Sequence, residues 1–198
     1  DSTNPGGEGD MRILVSIDES WEEEGPLPVY IYNHGMGRGG SNGDDFASVQ
    51  TACGGTALAK LQMENPGKYN AHIIVTQNHT SNEANYQALI AYVEKMAEEG
   101  MVDLDRVYMS GFSMGSRYTM NFFKSHPEFL AAIVPISGTC DGNMPSIDQL
   151  KENPEYAKTA VWAHVNKDDG DKRDPWLNYL IEDDAGSIYE EVNLTVLA

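Results

Sequence analysis

Basic residues are scarce in this chain: 13 Lys and Arg stand against 31 Asp and Glu, a formal charge of −18. A protein that neutralises a phosphate backbone needs clustered Lys and Arg, so nucleic acid is excluded as a partner. The acidic excess reads as a solvated surface, one that disfavours anionic substrates. Long apolar runs are also missing. None approaches the roughly 20 residues of a membrane-spanning helix, and no apolar leader opens the sequence. It opens instead on "DSTNPGGEGD", a polar, glycine-rich stretch (residues 1–10) that reads as a linker or a processed N-terminus. That start points to a secreted or cell-surface protein, with a cytoplasmic one as the alternative. Cysteine is nearly absent. Cys53 and Cys140 are too few for a disulfide framework or a zinc site, and one bridge or two buried thiols both fit. No metal-ligand or cofactor pattern is present, so none is expected.

What is present is enough for one core: 198 residues, 40% of them apolar. Apolar runs alternate with helical patterns, as in a mostly parallel sheet. Candidate strands are Met11–Ile17, Pro28–Asn33, Ala71–Thr76, Arg106–Ser110, Ala131–Ser137, Thr159–Val165 and Val192–Leu197. The first, "RILVSID", pairs most naturally as an antiparallel edge. In "EANYQALIAYVEKMAEEG", Tyr86, Leu89, Ile90, Val93, Met96 and Ala97 share one helical face, and Gly100 stops the helix. A second helix is expected from Ser116 to His126, ended by Pro127. Weaker helical patterns cover Asp45–Met63 and Pro175–Asp183. The expected fold is α/β: one domain over residues 11–198, a twisted, mostly parallel sheet with helices on both faces.

In such a sheet ligands sit at the carboxyl ends of the strands. Polar and small residues collect there: "HGMGRGGSNGDD", "QNHTSNEAN", "GTCDG" and "NKDDGDKRD" each follow a strand. Gln77 and His79 border this edge by position. After Arg106–Ser110 comes Gly111-Phe-Ser-Met-Gly115. A strand-to-helix turn this tight needs glycines beside the serine, and it lifts the Ser113 Oγ above the sheet. The helix that follows aims its first N–H groups, Met114 among them, at the same point. The loop "NHGMGRGG" can bring backbone N–H groups to a substrate oxygen, and its spacing is neither a P-loop nor a dinucleotide fingerprint. His34 reads as the residue that holds this loop.

The stretches "YIYNHGMG", "DLDRVYMSGFSMGSRYTMNFFKSHPEFLAAIVPISG" and "AVWAHVNKDD" together resemble the α/β-hydrolases, nearest the group of polyhydroxybutyrate depolymerases, feruloyl esterases and predicted peptidases. The resemblance runs from about Arg12 to the last strand. It implies a serine carboxylic-ester hydrolase with Ser113 as nucleophile. The N–H groups of Met36 and Met114 would form the oxyanion hole, with His34 and Gly35 beside the substrate. The acid of this family lies in a segment like H-G-x-x-D. Here it reads His164-Val-Asn-Lys-Asp168, with Val165 in place of the glycine, so Asp168 takes the position. Asp141, after the preceding strand, is a second candidate.

The base is the gap in the pattern. Chain order in this fold is serine, acid, histidine. The histidines are His34, His72, His79, His126 and His164, all before Asp168. The resemblance therefore places the base beyond Ala198 and implies a chain that lacks its extreme C-terminus. His79 is the substitute that the sequence offers. A chain with neither would bind esters without cleaving them. Polyester, hydroxycinnamate and polysaccharide esters all fit the pattern, and a serine peptidase of the same fold is the alternative. Asn-x-Thr sequons at Asn78 and Asn193 matter only in a eukaryotic secretory host.

Overall fold

The computed structural model describes residues 2–3, 12–36, 60–62, 64, 65, 67–77 and 81–197. Eight strands among them form one sheet: β1 (Ser2–Thr3), β2 (Arg12–Ser16), β3 (Leu27–Asn33), β4 (His72–Gln77), β5 (Val102–Phe112), β6 (Ala132–Ile136), β7 (Ala160–Asn166) and β8 (Val192–Leu197). Their order is β1-β2-β4-β3-β5-β6-β7-β8. Strands β3 to β8 are mutually parallel, whereas β2 runs antiparallel to β4. All seven expected strands are present. The reading of "RILVSID" as antiparallel is right, but β2 is not the edge, because Ser2 and Thr3 pair with Leu14 and Ile13 outside it.

From β3 the chain steps outward to β4, then returns across β3 to lay down β5 on the other side. The strands that follow β3 and β5 therefore lie on opposite sides of this pair. Such a reversal of strand order is where α/β sheets place ligands.

Helices follow from the sequence pattern. Helix α2 (Glu83–Glu98), after the short α1 (Trp21–Glu24), starts where the Asn82 side chain accepts the Asn85 N–H. It ends in a Schellman turn. Met101 N donates to Met96 O, Gly100 N donates to Ala97 O, and Gly100 takes φ +82°, which a side chain would resist. Its buried face carries Tyr86, Leu89, Val93 and Met96, as the spacing predicts. Ile90 and Ala97 flank it, half-buried. Each fully buried side chain of this kind contributes about 1.5–3 kcal/mol.

Helix α3 (Met114–Ser125) begins two residues earlier than the sequence pattern suggests, because helical geometry resumes directly after Ser113. Tyr118, Phe122 and Phe123 press it against the sheet, and Tyr86 meets the Tyr118 and Phe122 rings edge-on. Two short helices follow β6: α4 (Ile147–Glu152), capped reciprocally by Ser146 and Gln149, and α5 (Glu155–Lys158).

The last helix departs from expectation. Instead of Pro175–Asp183, α6 spans Gly170–Leu177 with Pro175 inside it, and residues 178–182 widen into a π turn. Trp176, fully buried, explains the placement, since its indole N–H donates to Gly138 O and ties α6 to the loop after β6. The helix expected over Asp45–Met63 lies outside the described residues apart from 60–62, which are helical.

Candidate active site

Ser113 joins β5 to α3 with φ +54° and ψ −107°, a conformation that L-residues rarely adopt. Two close approaches hold it there. A Cβ on Gly111 would stand 2.2 Å from the Gly115 carbonyl carbon and oxygen, and one on Gly115 would stand 2.0 Å from Asn33 O. Both glycines are thus required by contact. Ser113 N donates to Ile136 O on β6 (2.8 Å), and Ser113 O accepts from Arg117 N (3.3 Å). The N–H of Met114 opens α3, where no intrahelical acceptor exists.

The loop from β3 lies directly against this turn. Gly35 sits on the Phe112 ring, where an added Cβ would come within 2.9 Å. His34 and Gly35 are buried, while Met36 is 78% exposed and Phe112 45% exposed. The serine thus has an apolar lip. His34 Nδ1 is bonded to Gly35 O (2.7 Å), and burial pushes its pKa down, only partly opposed by that bond. The bond to Gly35 braces the loop. Gln77 is completely buried at the end of β4, so it supports this edge from within and does not line an open cleft. His79 lies outside the described residues.

Asp168 follows β7, two strands from Ser113, or about 10 Å across the sheet. Its N–H donates to Asn166 Oδ1 (3.1 Å) and it is exposed. The neighbouring aspartates are engaged. Lys172 holds both oxygens of Asp169 (3.0 and 2.9 Å), and Arg173 holds Asp174 (2.8 Å). The hydrogen bonds and charge of Lys172 keep the Asp169 carboxyl below its usual range. Among the described residues, neither Asp168 nor Asp171 is held by a Lys or Arg in this way. Asp141 lies elsewhere. Its neighbour Gly142 accepts from Lys124 in the last turn of α3 (3.3 Å), roughly 16 Å along the helix from Ser113. A cavity of about 550 Å³ there is lined by Lys124, Cys140, Asp141 and Tyr179. Cys140 is a buried free thiol, and Cys53 lies outside the described residues.

None of the four described histidines is hydrogen-bonded to Ser113. His34 is bonded to Gly35 O through Nδ1. His72 accepts the Asp18 N–H at Nδ1 and faces Met101 O with Nε2, at the opposite end of β4. His126 caps α3 between Glu83 and Glu128. His164 shares a register row with Ile136 and Phe112 and lies against the half-exposed Trp162 ring.

A buried polar node beneath the turn has no counterpart among the residues singled out from the sequence. The Asn33 side chain donates to Ser110 O (3.2 Å) and Thr119 Oγ1 (3.0 Å) and accepts from Thr76 Oγ1 (2.6 Å). All four residues are fully buried. The signal in the sequence was an amide closing an apolar strand just before His34-Gly35.

No protein-family model matches the sequence, and no curated protein is significantly similar to it. Solved structures match it throughout. A thermostable esterase superposes with a TM-score of 0.63 at 19% identity, over 94% of this chain and 50% of that one. The feruloyl esterase module from Clostridium thermocellum complexed with sinapinate gives 0.65 at 13%, over 100% and 80%. S-formylglutathione hydrolase from Staphylococcus aureus gives 0.60 at 13%, over 94% and 81%. The fold is that of the α/β-hydrolases. This chain spans about half the length of the thermostable esterase and about four fifths of the other two. Ser113, after β5, and residues 34–36, after β3, follow the two neighbouring strands at which the strand order reverses. No described helix is long and apolar enough to cross a membrane.

Proposed function

We propose that the protein is a serine hydrolase of carboxylic esters that works through an acyl-enzyme on Ser113. The observation that carries this reading is the strained Ser113 turn, braced by Gly111 and Gly115, with the Gly35–Met36 loop lying against it. A serine at positive φ between two close-packed glycines, at the switch point of an α/β sheet, is the form a nucleophile elbow takes.

In this mechanism Ser113 Oγ attacks the ester carbonyl as its proton passes to a general base. The carbonyl oxygen becomes an oxyanion held by the Met36 and Met114 N–H groups. The tetrahedral intermediate collapses, the alcohol leaves with the proton from the base, and the acyl group stays on Ser113. Water repeats the sequence, releases the acid and restores the serine. Asp168 is the carboxylate that orients the base, a histidine. Without that base, the oxyanion hole and binding alone retain about 10³–10⁴-fold over water.

Phe112 and Met36 offer the acyl group an aromatic and thioether lip, which suits a hydroxycinnamoyl or other apolar acyl chain. The alcohol side is the sugar, polyester or small alcohol from which such acids are released. Ser113→Ala in the full-length protein is expected to abolish hydrolysis of a chromogenic butyrate ester and the mass shift produced by a fluorophosphonate. An unchanged rate would refute the proposal.

A further inference from the structure

We propose that Asn33 is a positioning residue that fixes the spacing between the two oxyanion donors; this rests on the ester-hydrolase reading. The face of β3 on which it lies is otherwise apolar, with Val29 and Ile31 fully buried below it. A buried amide there is costly unless every hydrogen-bonding group is satisfied. Here both donors and the acceptor are used. Ser110 O can only accept, so the amide orientation is fixed by chemistry.

What the amide joins decides its role. Ser110 lies three residues before Ser113 on β5, and Thr119 lies in the second turn of α3, the helix that begins with Met114. Thr76 ties the same amide to β4. The Asn33 carbonyl oxygen is the surface on which Gly115 rests. From Asn33 the backbone runs straight into His34, Gly35 and Met36. One side chain therefore locks the strand that presents Met36 to the strand and helix that present Met114. An oxyanion needs its donors at about 2.7–3.1 Å. A displacement of about 1 Å can cost about 10²-fold in rate.

The test uses Asn33→Leu, which removes all three bonds at similar volume, and Thr119→Val, which cuts only the link to α3. The full-length protein is assayed with p-nitrophenyl butyrate and with phenylboronic acid, whose serine adduct is tetrahedral and carries an oxygen in the oxyanion position. Asp18→Asn is the control. It perturbs a second buried polar cluster, with Gln62 and His72, at the other end of β4. Expected for Thr119→Val is a kcat lowered about tenfold, for Asn33→Leu about 10²-fold, with KM held within about twofold. Boronate affinity falls in step with kcat. Asp18→Asn loses thermal stability and keeps both. If Asn33→Leu does not fold, Thr119→Val decides. A Thr119→Val protein with parental kcat and boronate affinity overturns the inference while Ser113→Ala still abolishes hydrolysis. If Ser113→Ala hydrolyses at the parental rate, the ester-hydrolase reading falls and the inference with it.

Discussion

Gly115 rests on Asn33 so closely that its missing Cβ would stand 2.0 Å from the Asn33 carbonyl oxygen. The obstacle is backbone on both sides, so no rotamer relieves it. Gly115→Ala is expected to cost about 3 kcal/mol or more, the range of a forced overlap in a packed interior. At Gly142 the space is open and only φ +66° opposes a side chain, so Gly142→Ala should cost about 1 kcal/mol. Urea unfolding of the two variants checks the difference.

Ser113 itself is held under strain. Ser113→Gly can adopt φ +54° freely, so it should raise stability by about 1 kcal/mol while removing the proposed nucleophile. A higher urea midpoint with no fluorophosphonate adduct is the expected pair of results. A lower midpoint would show that the turn is unstrained.

Asp168 and Asp141 are separated by chemistry as well as position. Asp168→Asn should lower kcat by about 10³–10⁴-fold, the scale of acids in serine triads. Asp141→Asn, whose loop is tied to the far end of α3, should leave kcat within about twofold of the parent. Steady-state kinetics of the pair on one chromogenic ester distinguishes them.

Acid should loosen the sheet from the end opposite Ser113. Burial pushes His72 below its ordinary pKa, against the opposing pull of the Met101 carbonyl and the Asp18 carboxylate. Protonation would also turn Nδ1, which accepts the Asp18 N–H, into a donor. A depressed histidine stabilises the fold above its unfolded pKa of about 6.5, and that contribution is lost as pH falls below it. His34, lowered by burial as well, adds in the same direction. Denaturant unfolding at stepped pH should therefore show stability falling below about pH 6.5, with a shallower slope in His72→Gln.

Sequence periodicity carried the sheet and the position of Ser113 because both are local. Alternation of strands and helices, a glycine at each side of the serine and an acidic loop after β7 are all read within a dozen residues. The misplacements have physical causes. Helix α3 starts at Met114 because the turn occupies a single strained residue, which propensity cannot anticipate. Pro175 marked a helix start, yet α6 begins at Gly170 because the Trp176 indole must reach Gly138 O. Gln77, placed by its position after a strand, is buried within β4. The Asn33 node was illegible, since its meaning depends on partners on three other elements.

Those partners lie 43, 77 and 86 residues along the chain. The node therefore cannot form until β4, β5 and α3 have all docked on β3, and each of those closures spends loop entropy before any bond is gained. Assembly of the Ser113 turn is thus expected among the last events of folding. Thr119→Val would then accelerate unfolding and leave the folding rate nearly untouched, a φ-value near zero. The chain would acquire its fold first and its chemistry afterwards.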